Sequence, residues 1–272
     1  MSGAHLEIAN VSIGYAQQGR AIEAVRDVSF SVGKSEFVVL VGPSGCGKTT
    51  LLHAVGGLVS ITGGTIRCAG HKVSGPGPER VMIFQEQSLF KWRTVRRNVE
   101  FALECRQVPR GRRTEIVDRL IRQVGLDDRA DVYPFQLSGG MKQRVAIARA
   151  LAYDADVVLM DEPFGALDAQ TRLSMQSLLL RIWQQARKTV LFVTHDIDEA
   201  IYLADRIVIM STGPGTIKAE VRIDATRPRA GDFLISDAFI DVKRRIFRLI
   251  QSDQERAESA APDASAERAD ST

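Results

Sequence analysis

The stretch Gly42–Thr50 reads GPSGCGKTT and decides how the rest of the chain is interpreted. It fits the pattern G-x-x-x-x-G-K-[ST], in which glycines let backbone N–H groups close around phosphate oxygens. The flanking residues predict a buried strand at Glu36–Val41 and a helix from about Lys48 to Val55. The alternative is a glycine-rich turn that matches by chance, and the flanking strand and helix argue against it. We therefore predict a phosphate-binding loop.

Three side chains of this loop have predicted roles. Lys48 would reach the β- and γ-phosphates of a nucleotide, and the Thr49 hydroxyl would ligate Mg²⁺. Cys46 is interpreted as a small space-filling residue rather than a redox switch. The loop residues expected to contact the nucleotide are Gly42, Pro43, Ser44, Gly45, Cys46, Gly47, Lys48, Thr49 and Thr50.

Apolar runs elsewhere in the chain predict the sheet to which the loop belongs. VMIFQ, VVLMDEP, TVLFVTHD and RIVIM alternate with helical patterns, which is typical of a mostly parallel sheet covered on both faces. The stretch before Glu36 instead predicts antiparallel strands, because its β-like runs are short and separated by turns. Functional side chains gather at the carboxyl ends of parallel strands, so the polar residues ending these runs are candidates.

Two adjacent carboxylates end the run VVLMDEP. Such a pair is costly unless a cation or a proton offsets the charge. Asp161 would bind Mg²⁺, directly or through its water, and Glu162 would polarise the attacking water as a general base. The alternative is an acidic surface turn, which the phosphate loop elsewhere in the chain argues against.

Two further strand ends carry candidate residues. The run TVLFVTHD puts His195 at a strand end, where it would donate a hydrogen bond to the γ-phosphate, although a lone histidine is more often structural. Gln85 ends VMIFQ and would place a neutral amide beside Mg²⁺ and water, as a catalytic residue and a metal ligand. Taken alone, Gln85 is better interpreted as a surface glutamine.

A second turn suited to anion binding lies at Leu137–Arg144, LSGGMKQR, and it leads into the helical run VAIARALA. Open backbone N–H groups and the positive end of a helix favour an anion there. One chain of this size therefore carries two turns suited to phosphate.

The totals set limits on function. The chain has 272 residues with a net charge of +3, which gives no argument for nucleic acid. The three cysteines, Cys46, Cys68 and Cys105, have no metal-type spacing and predict reduced thiols in the cytoplasm. We find no signal peptide and no apolar run of the roughly 20 residues that span a bilayer, so another chain would do the spanning. Residues 252–272 are small and charged and predict a disordered tail.

The order of these motifs resembles that of an ATP-binding cassette (ABC) ATPase over about residues 6–225. The LSGG signature separates this family from other phosphate-loop proteins. The resemblance implies an α/β fold: a P-loop NTPase (RecA-like) core with an antiparallel β-subdomain and a helical signature subdomain. We expect residues 1–251 to form this ATP-binding domain, with the helical subdomain at about 86–150. The motifs that carry the resemblance are the phosphate loop, Gln85, LSGGMKQR, VVLMDEP, the GALD turn at Gly165–Asp168, and His195.

The resemblance implies ATP and Mg²⁺ as cofactors and a head-to-tail homodimer with two ATP molecules between the subunits. Each ATP on Lys48 of one subunit would face the signature of the other, and Asp168 would couple the two sites. A hydroxyl, open backbone and a helix N-terminus suit a γ-phosphate and would hold ADP less well. Tyr15 would stack on the adenine, or else be a buried strand tyrosine. The signature residues facing ATP are Ser138, Gly139 and Gly140.

Further stretches are similar to the ATPases of nitrate, sulfonate and taurine importers, with GPGPER (Gly75–Arg80) and GPG (Gly213–Gly215) as the best markers. This resemblance implies an integral membrane permease, an extracytoplasmic solute-binding protein and a peripheral position on the cytoplasmic face of the inner membrane. The expected transported solute is taurine or an alkanesulfonate first, nitrate second, and a pyrimidine-type precursor third. SLFKWRTVRRNVEFAL would contact the permease, or else be a solvated basic helix with Trp92 in its core.

Rival classes fit less well. A DNA-maintenance ATPase would need a long coiled-coil insert, for which Gln85–Ser138 is too short. A translation factor would usually carry two cassettes, and a non-hydrolysing regulatory subunit would be expected to lose Glu162 or His195. An exporter or lipid-transport cassette stays open as an alternative.

Overall fold

The computed structural model describes residues 4–17, 20–229 and 231–259. Helices and strands alternate one by one from Gly139 to Met210, whereas strands follow one another in the first part of the chain. The strands are β1 Ala4–Gln17, β2 Arg20–Gly33, β3 Phe37–Val41, β4 Gly63–Cys68, β5 His71–Lys72, β6 Arg80–Ile83, β7 Val157–Asp161, β8 Thr189–Val193, β9 Arg206–Met210 and β10 Ile217–Arg222. The helices are α1 Lys48–Gly56, α2 Val95–Cys105, α3 Arg110–Gln123, α4 Gly139–Tyr153, α5 Ala169–Ala186, α6 Ile197–Leu203 and α7 Asp237–Ser259.

The main sheet has the strand order β10-β9-β3-β8-β7-β6. Every neighbouring pair from β9 to β6 is parallel, and β10 closes the edge antiparallel to β9. Every residue of β3, β7 and β8 is buried, as expected for strands with helices on both faces. This confirms the predicted parallel sheet and brings the carboxyl ends of β3, β8 and β7 side by side.

A second, antiparallel sheet has the order β2-β1-β4-β5. In β1, Leu6 and Ile8 are buried while Glu7 and Ala9 are exposed, which is the period-2 pattern of a sheet with one solvated face. Its buried face shares one apolar core with α1 and with side chains of the main sheet. The predicted antiparallel subdomain is therefore present.

Helices α2, α3 and α4 pack against one another within the segment predicted as the helical subdomain. In α2 the buried residues recur at helical spacing, with Val95, Val99 and Ala102 on the inner face. Trp92, which precedes α2, is 75% exposed. The interpretation of Trp92 as a core residue of a solvated helix is therefore wrong.

The C-terminal helix α7 packs against α6 and runs to Ser259. It thus continues past Ser252, where we predicted that disorder begins. Ala, Glu, Gln and Arg favour helix, and a packed first half removes the cost of starting one, so the helix propagates into a polar segment. The rest of the predicted tail, 260–272, lies outside the described residues. Among the described residues, no helix combines the length and apolar character needed to cross a membrane.

Candidate nucleotide-binding site

The phosphate loop joins β3 to α1, as predicted. Gly45 and Gly47 have φ values of 77° and 88°, which favour glycine. A Cβ on Gly47 would lie 2.7 Å from the carbonyl oxygen of Ala24, so a side chain there is also excluded by space. Gly47 caps α1 without a side-chain hydrogen bond. The first N–H groups of α1 are therefore available to an anion.

Lys48 is 6% exposed, and its Nζ donates to the carbonyl oxygens of Gly42 and Pro43, each at 2.8 Å. The ammonium is thus held inside the loop, where incoming phosphate oxygens would meet it. Cys46 Sγ lies 3.7 Å from the same Nζ, and burial raises the pKa of the Cys46 thiol. A buried thiol with a raised pKa is unreactive, which agrees with a space-filling role.

Asp161 ends β7 beside the loop. Thr49 Oγ1 donates to Asp161 Oδ1 at 2.9 Å, and His53 Nε2 lies 3.5 Å from Oδ2. Burial raises the pKa of Asp161, and the Thr49 hydrogen bond and nearby His53 oppose that shift. A buried carboxylate next to a hydroxyl presents hard oxygen ligands, which suit Mg²⁺. The described residues contain no cluster of three or more His, Cys, Asp or Glu side chains able to hold a metal. Mg²⁺ fits this limit, because it takes few protein ligands and completes its shell with phosphates and water.

Glu162 follows Asp161 with φ at 40°, a conformation that a non-glycine residue adopts only when its surroundings hold it. Its N–H donates to Val193 O on β8 at 3.0 Å. Its Oε2 lies 3.0 Å from Nδ1 of the exposed His195. The unusual backbone therefore turns Glu162 toward the histidine at the neighbouring strand end.

An open groove of about 480 Å³ lies over the phosphate loop. Tyr15 lines it and is 51% exposed, so the alternative of a buried strand tyrosine is wrong. Strand β2 also contributes to the groove, because Tyr15 pairs with Ile22 in the β1–β2 ladder. The residues that line the groove are Tyr15, Ile22, Glu23, Ala24, Ser44, Gly45, Gly47, Lys48, Thr49, Thr50, Glu162 and Gly213.

Sequence reasoning missed Ile22, Glu23 and Ala24, because strand pairing brings them to the loop and no local motif marks them. Gly213 belongs to the GPG turn, which the sequence analysis identifies as a family marker and not as part of the nucleotide site. Gln85 lies two residues past the end of β6, is exposed, and is not among the residues that line the groove.

The signature lies apart from the groove. Ser138 caps α4 by accepting a hydrogen bond from Met141 N at 3.3 Å, and the exposed Gly139 follows it. A Cβ on Gly140 would lie 2.7 Å from Thr171 Cγ2, so this glycine allows α4 to start against α5. Asp168 caps α5 by accepting from Thr171 N at 3.0 Å, and hydrogen bonds from the side chain and then the backbone of Thr171 lower the pKa of its carboxyl. The signature and Asp168 therefore adjoin one another, and none of these residues lines the groove.

The sheet, the loop between β3 and α1, the carboxylates at the end of β7 and the histidine after β8 define a phosphate-loop ATPase. The family model described as ABC transporter matches residues 25–165, just over half of the chain. The chain belongs to this family, and it is an ATP-binding ATPase subunit of the ABC type. The family and the fold predicted from the motifs are both confirmed.

Curated relatives and solved structures agree with this assignment. The chain is 46% identical over 248 residues to an uncharacterized ABC transporter ATP-binding protein of Methanocaldococcus jannaschii, covering 91% of this chain and 92% of the relative. It is 49% identical to a taurine import ATP-binding protein of Chromobacterium violaceum, covering 82% and 85% of the two chains. It is 45% identical to a nitrate import ATP-binding protein of a Synechocystis strain, covering 81% and 83%.

A similar solved structure is a dimeric ATP-binding cassette in a post-hydrolysis state bound to ADP and Pi. Its TM-score is 0.72 at 30% identity, and the match covers 81% of this chain and 100% of that one.

Proposed function

We propose that this chain is the ATP-hydrolysing subunit of a membrane importer for a small anion, with taurine or alkanesulfonates first and nitrate second. The observation that carries the proposal is a groove equipped for hydrolysis on a chain 49% identical to a taurine import ATP-binding protein. The solute would be selected by other chains, a permease and an extracytoplasmic solute-binding protein. This chain would sit peripherally on the cytoplasmic face of the inner membrane.

In the proposed mechanism, ATP lies in the groove with its phosphates on the loop and its adenine against Tyr15. Lys48 would exchange its bonds to Gly42 and Pro43 for bonds to β- and γ-phosphate oxygens. Thr49 and Asp161 would hold Mg²⁺, which neutralises phosphate charge. Gln85 would join them once its segment moves toward the groove.

Glu162 would accept a proton from the water whose oxygen attacks the γ-phosphorus, as the bond to the β-phosphate oxygen breaks. The 3.0 Å contact with Nδ1 holds Glu162, and Nε2 of a His195 imidazolium, which carries a proton on each ring nitrogen, would donate to the γ-phosphate. Both groups then act on charge that develops in the transition state, which is the most effective place for them.

A head-to-tail homodimer would explain how the signature takes part in binding ATP. Ser138 and Gly139 are exposed at the start of α4 and do not line their own groove. The N-terminus of α4 can receive the γ-phosphate of an ATP held by a second subunit. Two dimeric cassette structures with a TM-score of 0.72 to this chain support a dimer. ATP would close the dimer, and hydrolysis would open it.

The permease is proposed to dock on the helical segment. Trp92 and Phe135 are 75% and 76% exposed there, far more than apolar side chains of this size usually are. A groove of about 430 Å³ lies beside Phe135 and includes Lys91 and Leu89. An amphipathic helix of the permease would fit it, with apolar anchors against the aromatics.

The experiment that tests the solute is deletion of the gene, with growth on taurine or alkanesulfonates as sole sulfur source and on nitrate as sole nitrogen source. We expect loss of growth on a sulfonate, intact growth on sulfate, and rescue by the wild-type gene but not by Glu162→Gln. Loss on nitrate alone would move the protein to the nitrate branch. Normal growth on taurine, on alkanesulfonates and on nitrate would contradict the proposal of an anion importer. It would favour a pyrimidine-type importer, an exporter or a lipid-transport system.

A further inference from the structure

The segment that carries Gln85 runs from the end of β6 at Ile83 to the start of α2 at Val95 and contains no helix or strand. Ser88, in its middle, has φ at 46°, which costs free energy in a non-glycine residue. Backbone in this conformation persists only where neighbouring groups hold it in place. The groups that hold this segment therefore determine where Gln85 lies.

Arg149 of α4 provides one of these attachments. Its guanidinium donates to the carbonyl oxygen of Ser88 at 2.9 Å and to that of Gln87 at 3.1 Å. The same guanidinium lies 5.7 Å from the ring centroid of Phe90. Two charge-assisted bonds from a planar, rigid group fix both position and orientation of the peptide they hold.

The far end of the segment is attached to α2 instead. The fully buried Asn98 accepts from Phe90 N at 2.9 Å and donates to Phe90 O at 3.1 Å. The half of the segment nearest Gln85 is thus held from α4 and the other half from α2. Arg149 therefore connects the Gln85 half to the helix whose first turn is the signature.

We infer that Arg149 is a positioning residue that makes the Gln85 segment and the signature helix move as one body. Arg149 stands roughly 15 Å along α4 from Gly139, at 1.5 Å per residue, so the helix acts as a rigid lever between the two attachments. A displacement of Gln85 toward its own nucleotide would then reorient the signature that faces the partner's nucleotide. The inference rests on the proposed function, because it needs a dimer in which the signature acts across the interface.

Burial is consistent with this role. The Arg149 side chain is partly buried, and this burial lowers the pKa of its guanidinium. Arginine is the appropriate residue, because lysine can place its charge near one carbonyl but cannot form the same fork to two.

The test compares Arg149→Gln with Arg149→Lys in the purified full-length protein. Arg113→Gln is the matched control, because Arg113 donates to the carbonyl of Val108 at 2.7 Å within the same helical segment but does not touch the Gln85 segment. Three readouts are needed: hydrogen exchange of residues 84–94, the split between kcat and nucleotide affinity, and ATP-driven dimerisation in a Glu162→Gln background.

We expect Arg149→Gln to exchange amides 84–94 faster and to lose about tenfold or more in kcat, since small misplacements of positioned groups cost rate steeply. ATP affinity of the single subunit should stay within about twofold of wild type, because no phosphate contact is removed. ATP-driven dimerisation of Arg149→Gln should weaken. Arg149→Lys should give values between those of wild type and Arg149→Gln, and Arg113→Gln should match wild type in all three readouts.

A folded Arg149→Gln protein with wild-type exchange, kcat and dimerisation would overturn the inference while leaving the proposed function intact. If that variant does not fold, Arg149→Lys decides in the same way. A wild-type protein that binds ATP but neither hydrolyses it nor dimerises would instead overturn the proposed function, and the inference with it.

Discussion

The Oε2 atom of Glu162 lies 3.0 Å from Nδ1 of His195, across the carboxyl ends of two adjacent parallel strands. The two residues are far apart in sequence, and the β7–β8 register together with the left-handed backbone of Glu162 brings them into contact. A general base needs such an orienting partner, because a freely rotating carboxylate spends little time in the reactive position.

Glu162→Gln is expected to bind ATP normally and to lose about 10²–10³-fold in turnover, since a positioned general base contributes this much. Phosphate release and ATP affinity would be measured on the same preparation. Glu7→Gln is the control, because Glu7 is an exposed glutamate of β1 that does not line the groove. Hydrolysis by Glu162→Gln at near the wild-type rate would show that Glu162 is not the general base.

Lys48→Ala is expected to weaken ATP binding by at least about tenfold, because a charge-assisted bond to phosphate is worth more than 1.4 kcal/mol. Calorimetric titration of nucleotide measures the effect. The exposed Lys34 serves as control, since Lys34→Ala changes net charge equally without touching the loop. ATP affinity that is unchanged in Lys48→Ala would contradict the phosphate role of Lys48.

Tyr15→Ala is expected to raise the Kd for ATP by about 5–150-fold, the range that stacking of roughly 1–3 kcal/mol per base implies. Tyr15→Trp should restore affinity, because tryptophan offers an equal or larger ring. The exposed Tyr133, which does not line the groove, provides the control variant Tyr133→Ala. If Tyr15→Ala binds ATP as tightly as wild type, the adenine lies elsewhere.

Glu199 allows a test of pH-dependent stability away from the nucleotide. It is 4% exposed, it accepts a hydrogen bond from Gln176 at 3.0 Å, and burial raises its pKa. The folded state therefore holds the proton more tightly than the unfolded state. Ionisation then costs stability as the pH rises above the ordinary glutamate value of about 4.3.

Glu199→Gln should thus have a higher Tm than wild type at pH 8, by roughly 2–4 °C for each kcal/mol gained in the free energy of unfolding. This difference in Tm should shrink as the pH falls toward 4. Thermal melts of both proteins across this range measure it. Glu115→Gln, at an exposed site on α3, should leave the pH dependence unchanged. A lower Tm for Glu199→Gln at pH 8 would show that the ionised carboxylate stabilises the fold.

The sequence was sufficient to predict the parts of the site that a strand end or a loop motif marks. Lys48, Thr49, Asp161 and His195 all lie at the carboxyl edge of the main sheet, because motif and strand register together leave no other position. The antiparallel sheet was predictable for a similar reason, since the alternation in β1 is visible residue by residue.

Other features depend on contacts that are distant in sequence. Glu23 and Ala24 reach the phosphate loop through pairing of long strands, and no local pattern indicates that. The exposure of Trp92 could not be predicted, because its apolar side chain favours burial and only the packing of residues around it in the fold determines whether it is buried. Helix α7 extends to Ser259 because packing of its first half starts a helix that the polar residues then continue.

In the proposed dimer, ATP joins two copies of this chain through Lys48 of one and Ser138 of the other. The most direct measurement is the mass in solution of Glu162→Gln with and without ATP, together with the number of ATP molecules bound per subunit. We predict a monomer of 29.9 kDa without nucleotide and a dimer with one ATP per subunit when ATP is present. Adding Ser138→Arg should abolish the dimer while the monomer still binds ATP. A Glu162→Gln protein that binds ATP and stays monomeric would show that ATP does not join the two subunits.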